Sequence, residues 1–592
     1  MTRLLLCGLN ARYDHTCLAV RSLAAALDEN PIHGLMTKRR EWTVNDPLLV
    51  LLHRLADEDA DIYAFSCYIW NRTLTETLSL ELKKIKPGAV VVWGGPEAET
   101  QSEAILGRGA ADFILTGEGE ITLPRLLRCL TEHGRTPPQT ALKALPGLIW
   151  LSPGTGQLEQ NGPPAPLADG SWPFPYRDED LKQDKEKILY YEASRGCPFG
   201  CSYCLSERDR QVRRRPLERV LQELDRLIAA DVRLVKFVDR TFNLNPERAR
   251  QIWRHLIARS RETGARTCFH FELGGDLLEP DDLELLSQAP SGLFQVEIGV
   301  QSAHPDVLRA VNRPSRLEVL AWQVGLLRQA GNCHIHLDLI AGLPGETFAR
   351  FTESLDWVWA LRPHQLQLGF LKLLPGTSLW QQARERGWRW LDVPPYEVLE
   401  TDSIGFSELG RLKQIAELLE RYLNVDQSCA FRFAAAHWPR PWQFLDDFSK
   451  FCDRRGLFDR ALGIEERLRQ LWQFVRDSRK LSDPALGQQL DLLRTDFQLM
   501  GQMSQPDWLG FWALAAGKPA QNQLRFAVRQ AGWPVADSRL RFDRIRLDWD
   551  VLLRDGHVKD ADFLMVYGRK ESKMVLLASG PFEAGLPPYQ PK

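Results

Sequence analysis

Ile188-Leu-Tyr-Tyr-Glu192-Ala-Ser-Arg-Gly-Cys197-Pro-Phe-Gly-Cys201-Ser-Tyr-Cys204 joins a short apolar run to a Pro/Gly-rich loop. The run, Ile188–Glu192, reads as a buried strand. A loop directly after a strand is a surface feature, where binding residues collect. Three of the chain's 11 cysteines crowd into this loop as C-x3-C-x2-C. Three thiolates on one loop can hold three corners of a cubic 4Fe-4S cluster, which leaves the fourth iron open to an exchangeable ligand. Zinc is the alternative; its sites use four ligands, commonly in two pairs, so a distant His would have to complete one here. The third reading is a set of inert thiols. It suits Cys7, Cys17, Cys67, Cys129, Cys268, Cys333, Cys429 and Cys452, which lie singly and read as small buried hydrophobes.

Downstream, the pattern of that first strand repeats. Strands are expected at Leu234–Val238, Thr267–Glu272, Phe294–Gly299, His334–Ile340 and Gln365–Leu373. Helix-period segments follow the strands, at Pro216–Ala229, Pro246–Arg259, Pro280–Gln288, Arg316–Gln329, Phe348–Leu361 and Ser378–Arg386. Six strand–helix units over 188–395 predict a partial (β/α)6 barrel, whose active site would lie on the loops after the strands. Upstream, 1–145 also alternates. Strands at Leu4–Cys7, Ile62–Ser66, Ala89–Trp93 and Phe113–Leu115 interleave with helices at Cys17–Leu27, Leu48–Ala56, Thr73–Lys86 and Leu123–Glu132. That predicts a doubly wound, Rossmann-like α/β domain with its ligand at the carboxyl ends of the strands. Between the two, 146–187 is rich in Pro, Gly and Asp and reads as a linker or draped loop. Residues 396–592 read as mainly helical, with helices at Leu409–Tyr422, Ile464–Arg476 and Asp483–Asp496 and late strands at Arg541–Asp548 and Phe563–Tyr567.

Composition bounds the function. A chain of 592 residues holds about three or four domains. Hydrophobic content of 44% and charged content of 26% are globular values. Seventy-five Lys and Arg balance 77 Asp and Glu, which excludes a bulk polybasic nucleic-acid binder. No apolar run reaches the ~20 residues of a membrane span. The start reads as a strand rather than a signal peptide, and the odd cysteine count suits a reducing, cytoplasmic setting.

With Tyr203 before its last cysteine, the loop resembles the signature of radical S-adenosylmethionine (SAM) enzymes. Later strands fit the same family. Glu272 ends His-Phe-Glu-Leu-Gly-Gly, Gln301 closes Glu-Ile-Gly-Val-Gln, and Arg313 comes twelve residues later. Asp338-Leu-Ile-Ala-Gly342-Leu-Pro-Gly-Glu346 is similar to the family's G-x-I-x-G-x-x-E, with Asp338 in place of the first glycine. The family's GGE segment is replaced by Val238-Asp-Arg-Thr241. The resemblance implies that Cys197, Cys201 and Cys204 ligate the cluster. It places SAM on the open iron, against Glu272, Gln301, Arg313 and Gly342, and implies that reductive cleavage yields a 5′-deoxyadenosyl radical. A guanidinium such as Arg313 suits the SAM carboxylate through paired hydrogen bonds.

A doubly wound domain before such a barrel resembles the cobalamin-binding branch of the family, one group of which carries a helical C-terminal extension of unassigned role. Phe65-Ser-Cys-Tyr-Ile-Trp-Asn71, Lys236-Phe-Val-Asp-Arg-Thr-Phe-Asn243 and Gly369-Phe-Leu-Lys-Leu-Leu-Pro-Gly376 look like that group. The resemblance implies cobalamin at Asn10, His15, Ser66, Gly94, Gly95, Pro96, Gly117, Glu118 and Gly119. His15 is the one obvious protein ligand to cobalt, with a capping or core role as its other reading. The D-x-H-x-x-G cobalamin motif and the dinucleotide G-x-G-x-x-G are both absent.

Asp239, Asp338 and Lys372 are expected near the barrel mouth as proton donors or acceptors, or as interior salt bridges. The basic run Arg208–Arg215 is a solvated face or a hold for an anionic substrate, an RNA phosphate included. Three functions follow. The first is methylation of an unactivated centre of an unknown substrate by cobalamin and a second SAM. The second is a rearrangement, cyclisation or reduction with the same cofactors. The third is a non-catalytic corrinoid- or RNA-binding protein with a structural metal. Either enzyme would take its electron from a donor of the flavodoxin or ferredoxin type.

Overall fold

The computed structural model describes residues 1–168, 170–425, 427–500, 506–509, 541–547, 560–567 and 572–576. The chain divides into two compact units. One is Met1–Ile335 with Ile340–Thr347 and Gly369–Phe406; the other is His336–Leu339, Phe348–Leu368 and Ser407–Lys592.

The first unit opens with a seven-stranded sheet of β1 (Thr2–Asn10), β2 (Leu35–Thr43), β3 (Ile62–Ser66), β4 (Val90–Gly94), β5 (Phe113–Leu115), β6 (Leu148–Leu151) and β7 (Leu158–Gln160). Its order is β2-β1-β3-β4-β5-β6-β7. The first five strands pair in parallel. Helices Leu18–Glu29, Leu48–Asp57 and Arg72–Ile85 and the short Pro96–Thr100 and Ser102–Gly107 connect them, and Gly119–His133 follows β5. One apolar layer gathers Leu5, Cys7, Tyr63, Val91 and Trp93, and the other gathers Leu4, Leu6, Val92 and Leu126. Both faces are buried, as doubly wound packing requires.

Two elements escape the apolar-run reading. β2 alternates half-buried with exposed residues at the sheet edge, and its Lys38-Arg39-Arg40-Glu41 core hides its strand character. β6 and β7 lie inside the stretch expected to be a linker. They extend the sheet antiparallel beside β5 and bury Leu148, Ile149 and Trp150. Pairing there covers what would be an open edge of β5. Helix Asp178–Gln183 is held to the sheet too: Asp184 accepts from Arg21 at 2.8 Å and Asp180 pairs with Arg39.

Next come β8 (Ile188–Tyr191), the two-residue strands β9 (Ser194–Arg195) and β10 (Arg213–Arg214), then β11 (Leu234–Phe237), β12 (Cys268–Leu273), β13 (Phe294–Gln301), β14 (His334–Ala341) and β15 (Gln365–Phe370). The second large sheet runs β15-β14-β13-β12-β11-β8. β8, β11, β12 and β13 pair in parallel. Helices Leu217–Ala229, Pro246–Thr263, Pro280–Ser287 and Leu317–Ala330 follow the strands, and two of them begin on a proline, whose fixed φ suits the first turn. On one face Tyr191, Phe237, Phe269, Phe271 and Ile298 are buried. The alternate residues Tyr190, Lys236, Glu272, Glu297, Gly299 and Gln301 stay half-buried.

The second unit holds helices Phe348–Ala360, Cys429–Ala435, Pro441–Asp453, Ile464–Ser478 and Asp483–Leu499. Tyr422, Phe431, Phe444, Phe448 and Phe474 pack edge to face and in stacks at its centre. Buried Asp496 caps the helix at Cys429, taking Ser428 Oγ at 2.6 Å and the Cys429 and Ala430 N–H groups at 3.1 and 3.0 Å. Strands Arg541–Leu547, Asp560–Tyr567 and Ser572–Leu576 form an antiparallel sheet. The first two fall where late strands are expected; Asp548 lies outside the described residues. Among the described residues no helix is long and apolar enough to cross a membrane.

Candidate functional site: a cysteine loop beside a parallel-sheet edge

β9 and β10 pair antiparallel, Arg195 opposite Arg213 and Ser194 opposite Arg214, and so close the neck of the cysteine loop. Gly196 enters the loop at φ +91°, and a Cβ there would lie 2.3 Å from the Gln211 carbonyl oxygen, so only glycine fits. Cys197 N–H donates to Asp209 O at 2.9 Å, and Cys204 N–H to Cys201 O at 3.0 Å. Cys197 and Cys201 are buried and Cys204 is half-buried. Burial raises the Cys197 thiol, and the charges of Cys204 and Cys201 add to the rise. Three thiols on a loop of fixed backbone match the three-point ligand set of a cubic cluster.

Arg313 stands over this loop. Its Nη1 lies 3.7 Å from Cys201 Sγ, and its Nη2 donates to Gly299 O at 2.9 Å. Gln301 closes β13 in the left-handed region, φ +68°, which a non-glycine residue rarely adopts. Its buried Oε1 has no hydrogen-bond partner among the described residues. A Cβ on Gly299 would lie 2.1 Å from Gln301 Nε2 and 3.2 Å from Arg313 Nη2. Glycine there leaves room for an amide and a guanidinium beside the cysteines. An orphaned acceptor and a carboxylate-binding donor side by side fit an amino acid head group, as SAM carries. On the neighbouring strand, burial raises Glu272, with the charge of Glu297 adding to it. Gly342, φ +95°, opens the loop after β14, where Glu346 accepts from Ser302 Oγ at 2.6 Å.

The carboxyl edge of the first sheet carries the other sequence candidates. Asn10 Nδ2 donates to His15 O at 3.0 Å and to Glu41 Oε2 at 3.1 Å. His15 Nδ1 and Tyr190 Oη are 2.7 Å apart, and burial lowers the imidazole. Gly95, φ +104°, presses on backbone: a Cβ would sit 2.5 Å from Cys67 O. Pro96 starts a short helix in which buried Glu97 accepts from Tyr396 Oη at 2.8 Å. Gly117 packs on Pro164 and Gly119 on Leu23. Gly94 is different, since a Cβ there would meet nothing closer than Leu115 O at 3.8 Å. Beside it, past Ser66, the Tyr68 and Trp70 rings stack at 4.3 Å and 5°, with the indole 49% exposed. Open backbone next to a flat exposed ring suits a flat ligand.

The B12 binding domain matches residues 5–127, and the Radical SAM superfamily matches residues 191–358. The chain thus carries a B12-binding domain followed by a radical SAM domain. A protein family of unknown function, DUF4080, matches residues 385–533. Among curated relatives, an uncharacterized methyltransferase of Pyrococcus horikoshii is 26% identical over 52% of this chain and 66% of its own length. The cobalamin-dependent radical SAM methyltransferase TokK of Streptomyces tokunonensis is 28% identical over 54% of this chain and 48% of its own. The chain thus spans about half to two thirds of these relatives. The cobalamin-dependent SAM radical enzyme OxsB shares the fold, with a TM-score of 0.55, 16% identity, and 90% of this chain and 82% of that one covered. So does the radical SAM methyltransferase TsrM of Kitasatospora setae, with a TM-score of 0.54, 19% identity, and 67% and 80% covered.

In this radical SAM chain, the three candidate proton carriers have different settings. Buried Asp239 takes the Ala193 N–H at 3.0 Å and Ser194 Oγ at 2.5 Å, and burial pushes it up to about 7. It clamps the strand that leads into the cysteine loop. Lys372 is exposed on a backbone bridge to Glu397. Asp338 is half-buried in β14. Sequence reading missed the set on the half-buried face of the second sheet. There Lys236 Nζ and His270 Nε2 reach Glu297 at 3.2 and 3.1 Å. Period-two spacing along β11, β12 and β13 is the signal that would have found it. The Arg208–Arg215 run is exposed over 208–211 and buried at Arg213 and Arg215, and three of its arginines are paired: Arg208 with Glu99, Arg213 with Glu118 and Asp209, and Arg215 with Glu223.

Proposed function

We propose that the chain is a cobalamin-dependent radical SAM enzyme that methylates an unactivated centre of its substrate. The observation that carries this reading is the placement of Arg313 and the unpartnered Gln301 oxygen at the rim of the three-cysteine loop. Cys197, Cys201 and Cys204 would hold the cluster. Arg313, Gln301, Glu272 and Gly342 would bind SAM, and Gly94, Ser66 and the Tyr68–Trp70 stack would take the corrinoid. When bound, the cofactors supply one-electron cleavage of a sulfonium and a transferable methyl group.

The chain's own residues do the rest. Arg313 pairs with the SAM carboxylate and fixes its distance from Cys201. Gln301 accepts from the ammonium, and Gly299 lets the head group approach the backbone. Tyr190 holds the His15 imidazole by a hydrogen bond, which keeps that ring from turning freely to a metal. An electron carrier of the flavodoxin or ferredoxin type supplies the reducing electron. The relatives named as methyltransferases support methyl transfer over rearrangement or reduction.

The test is anaerobic reconstitution with iron, sulfide and hydroxocobalamin, followed by product counting with SAM and reductant. About four irons per chain, lost in Cys201→Ala, are expected of a cubic cluster. S-adenosylhomocysteine together with 5′-deoxyadenosine supports methyl transfer. 5′-Deoxyadenosine alone in the presence of a consumed substrate rejects it, and zinc without sulfide rejects the radical reading.

A further inference from the structure

Arg195 and Arg213 face each other across the two-residue ladder at the neck of the cysteine loop. Like charges directly opposite on paired strands repel. Both guanidiniums reach one atom on another element: Glu118 Oε1 takes Arg195 Nη1 at 3.0 Å and Arg213 Nη1 at 2.7 Å. Glu118 belongs to the Gly117–Glu120 turn after β5 of the first sheet. Arg195 has further partners, Glu120 at 2.6 Å and Glu192 at 2.8 Å, and it lies over the Trp172 ring at 4.7 Å. Besides Glu118, Arg213 reaches half-exposed Asp209 at 2.9 Å and donates to Leu167 O at 3.3 Å. The Glu118, Arg195 and Arg213 side chains are 7–16% exposed, so water screens them poorly. The Leu167 N–H also donates to Glu118 Oε2. Burial works against ionisation of Glu118, but that donor and the two arginines outweigh it and hold the carboxyl below its ordinary range.

From the other side Asp239 grips Ala193 and Ser194. A cavity lies beneath, lined by Ser194, Gly196, Cys197, Val212 and Arg214. Carboxylates thus hold the neck at Ala193, Ser194, Arg195 and Arg213.

We propose that Glu118 is a positioning residue for the cysteine loop, neutralising the facing arginines that would otherwise spread its neck. The turn that the resemblance assigns to the corrinoid thus directs both of its acidic residues to the loop of the other cofactor. The proposal rests on Cys197, Cys201 and Cys204 being the cluster ligands.

The test compares the parent chain with Glu118→Gln, Arg213→Gln, the double variant and Glu118→Asp. Hydrogen exchange over 194–214 is read on the cluster-free chain, and loss of the cluster to a chelator on the reconstituted one. Glu118→Gln raises exchange and speeds cluster loss several-fold, with exchange in the β1–β5 core unchanged. Arg213→Gln in the same chain restores both, because one guanidinium no longer faces another; Glu118→Asp keeps most of the parent behaviour. Parent-like exchange in Glu118→Gln, or a double variant as loose as Glu118→Gln, overturns the proposal. A parent chain that binds no iron and sulfide sinks the cluster reading instead, while the exchange data still judge the neck.

Discussion

On β4 of the first sheet, Val91 and Trp93 face one apolar layer and Val92 faces the other, and all three are buried. On β13 of the second, Val296, Ile298 and Val300 are buried, while Gln295, Glu297, Gly299 and Gln301 are half-buried. Both strands are parallel and flanked by helices. In the first, helices cover both faces and the residues between serve packing alone. In the second, one face carries polar side chains, and Gln301 at the end of β13 lies beside Arg313, which reaches Cys201. A sheet becomes a site where one face is released from packing.

Four substitutions test that contrast. The largest effect belongs to Cys197, Cys201 and Cys204 changed together to Ala: iron, sulfide and SAM cleavage are all lost while the circular dichroism of the fold remains. Loss of the fold instead would mean that the thiols are structural. Next is Trp93→Ala on the first sheet. Its ring is fully buried and its Nε1 donates to Ser79 Oγ at 3.0 Å. Removing a buried aromatic costs about 3–5 kcal/mol, so the denaturation midpoint falls clearly, with SAM affinity of the surviving folded chain unchanged. Gln301→Ala on the second sheet does the reverse: SAM binds about tenfold more weakly, about 1.4 kcal/mol, with little change in melting temperature. If Trp93→Ala and Gln301→Ala act alike, the division between packing face and polar face fails.

The fourth substitution tests a pH dependence. Asp239 titrates near 7 in the folded chain against an ordinary value of 3.8, because burial penalises its charge. A carboxyl raised on folding stabilises most below its unfolded value, and that contribution is lost as pH climbs toward 7. Asp239→Asn removes this slope between about pH 4 and 7, since the amide oxygen still accepts from Ala193 N–H. Melting curves across that range check it; an unchanged slope assigns the dependence to another group.

The alternation of strands and helices over 1–145 and 188–395 was legible because buried parallel strands write apolar runs and their helices write a 3.6-residue period. β2 was not, since an edge strand with Lys38, Arg39, Arg40 and Glu41 carries no such run. β6 and β7 hid in Pro- and Gly-rich sequence that reads as linker. Spacing marked the cysteines, because residues close together on one loop share an environment; the family resemblance marked Gln301 and Arg313. Glu118 was legible only as a member of a Gly-rich turn. Its partners lie 77 and 95 residues away, at Arg195 and Arg213, and no local pattern announces them.

The sequence by itself determined the layered α/β plan, the three-thiol loop and the glycines that its tight turns require, since each follows from propensity and spacing along a few residues. Tertiary structure decided which acidic and basic groups meet. It set Asp239 to clamping a strand rather than facing solvent, bonded His15 to Tyr190, and left Gln301 Oε1 without a partner. Charge pairing and burial act through space over a few ångströms, between segments that the chain separates by tens to hundreds of residues.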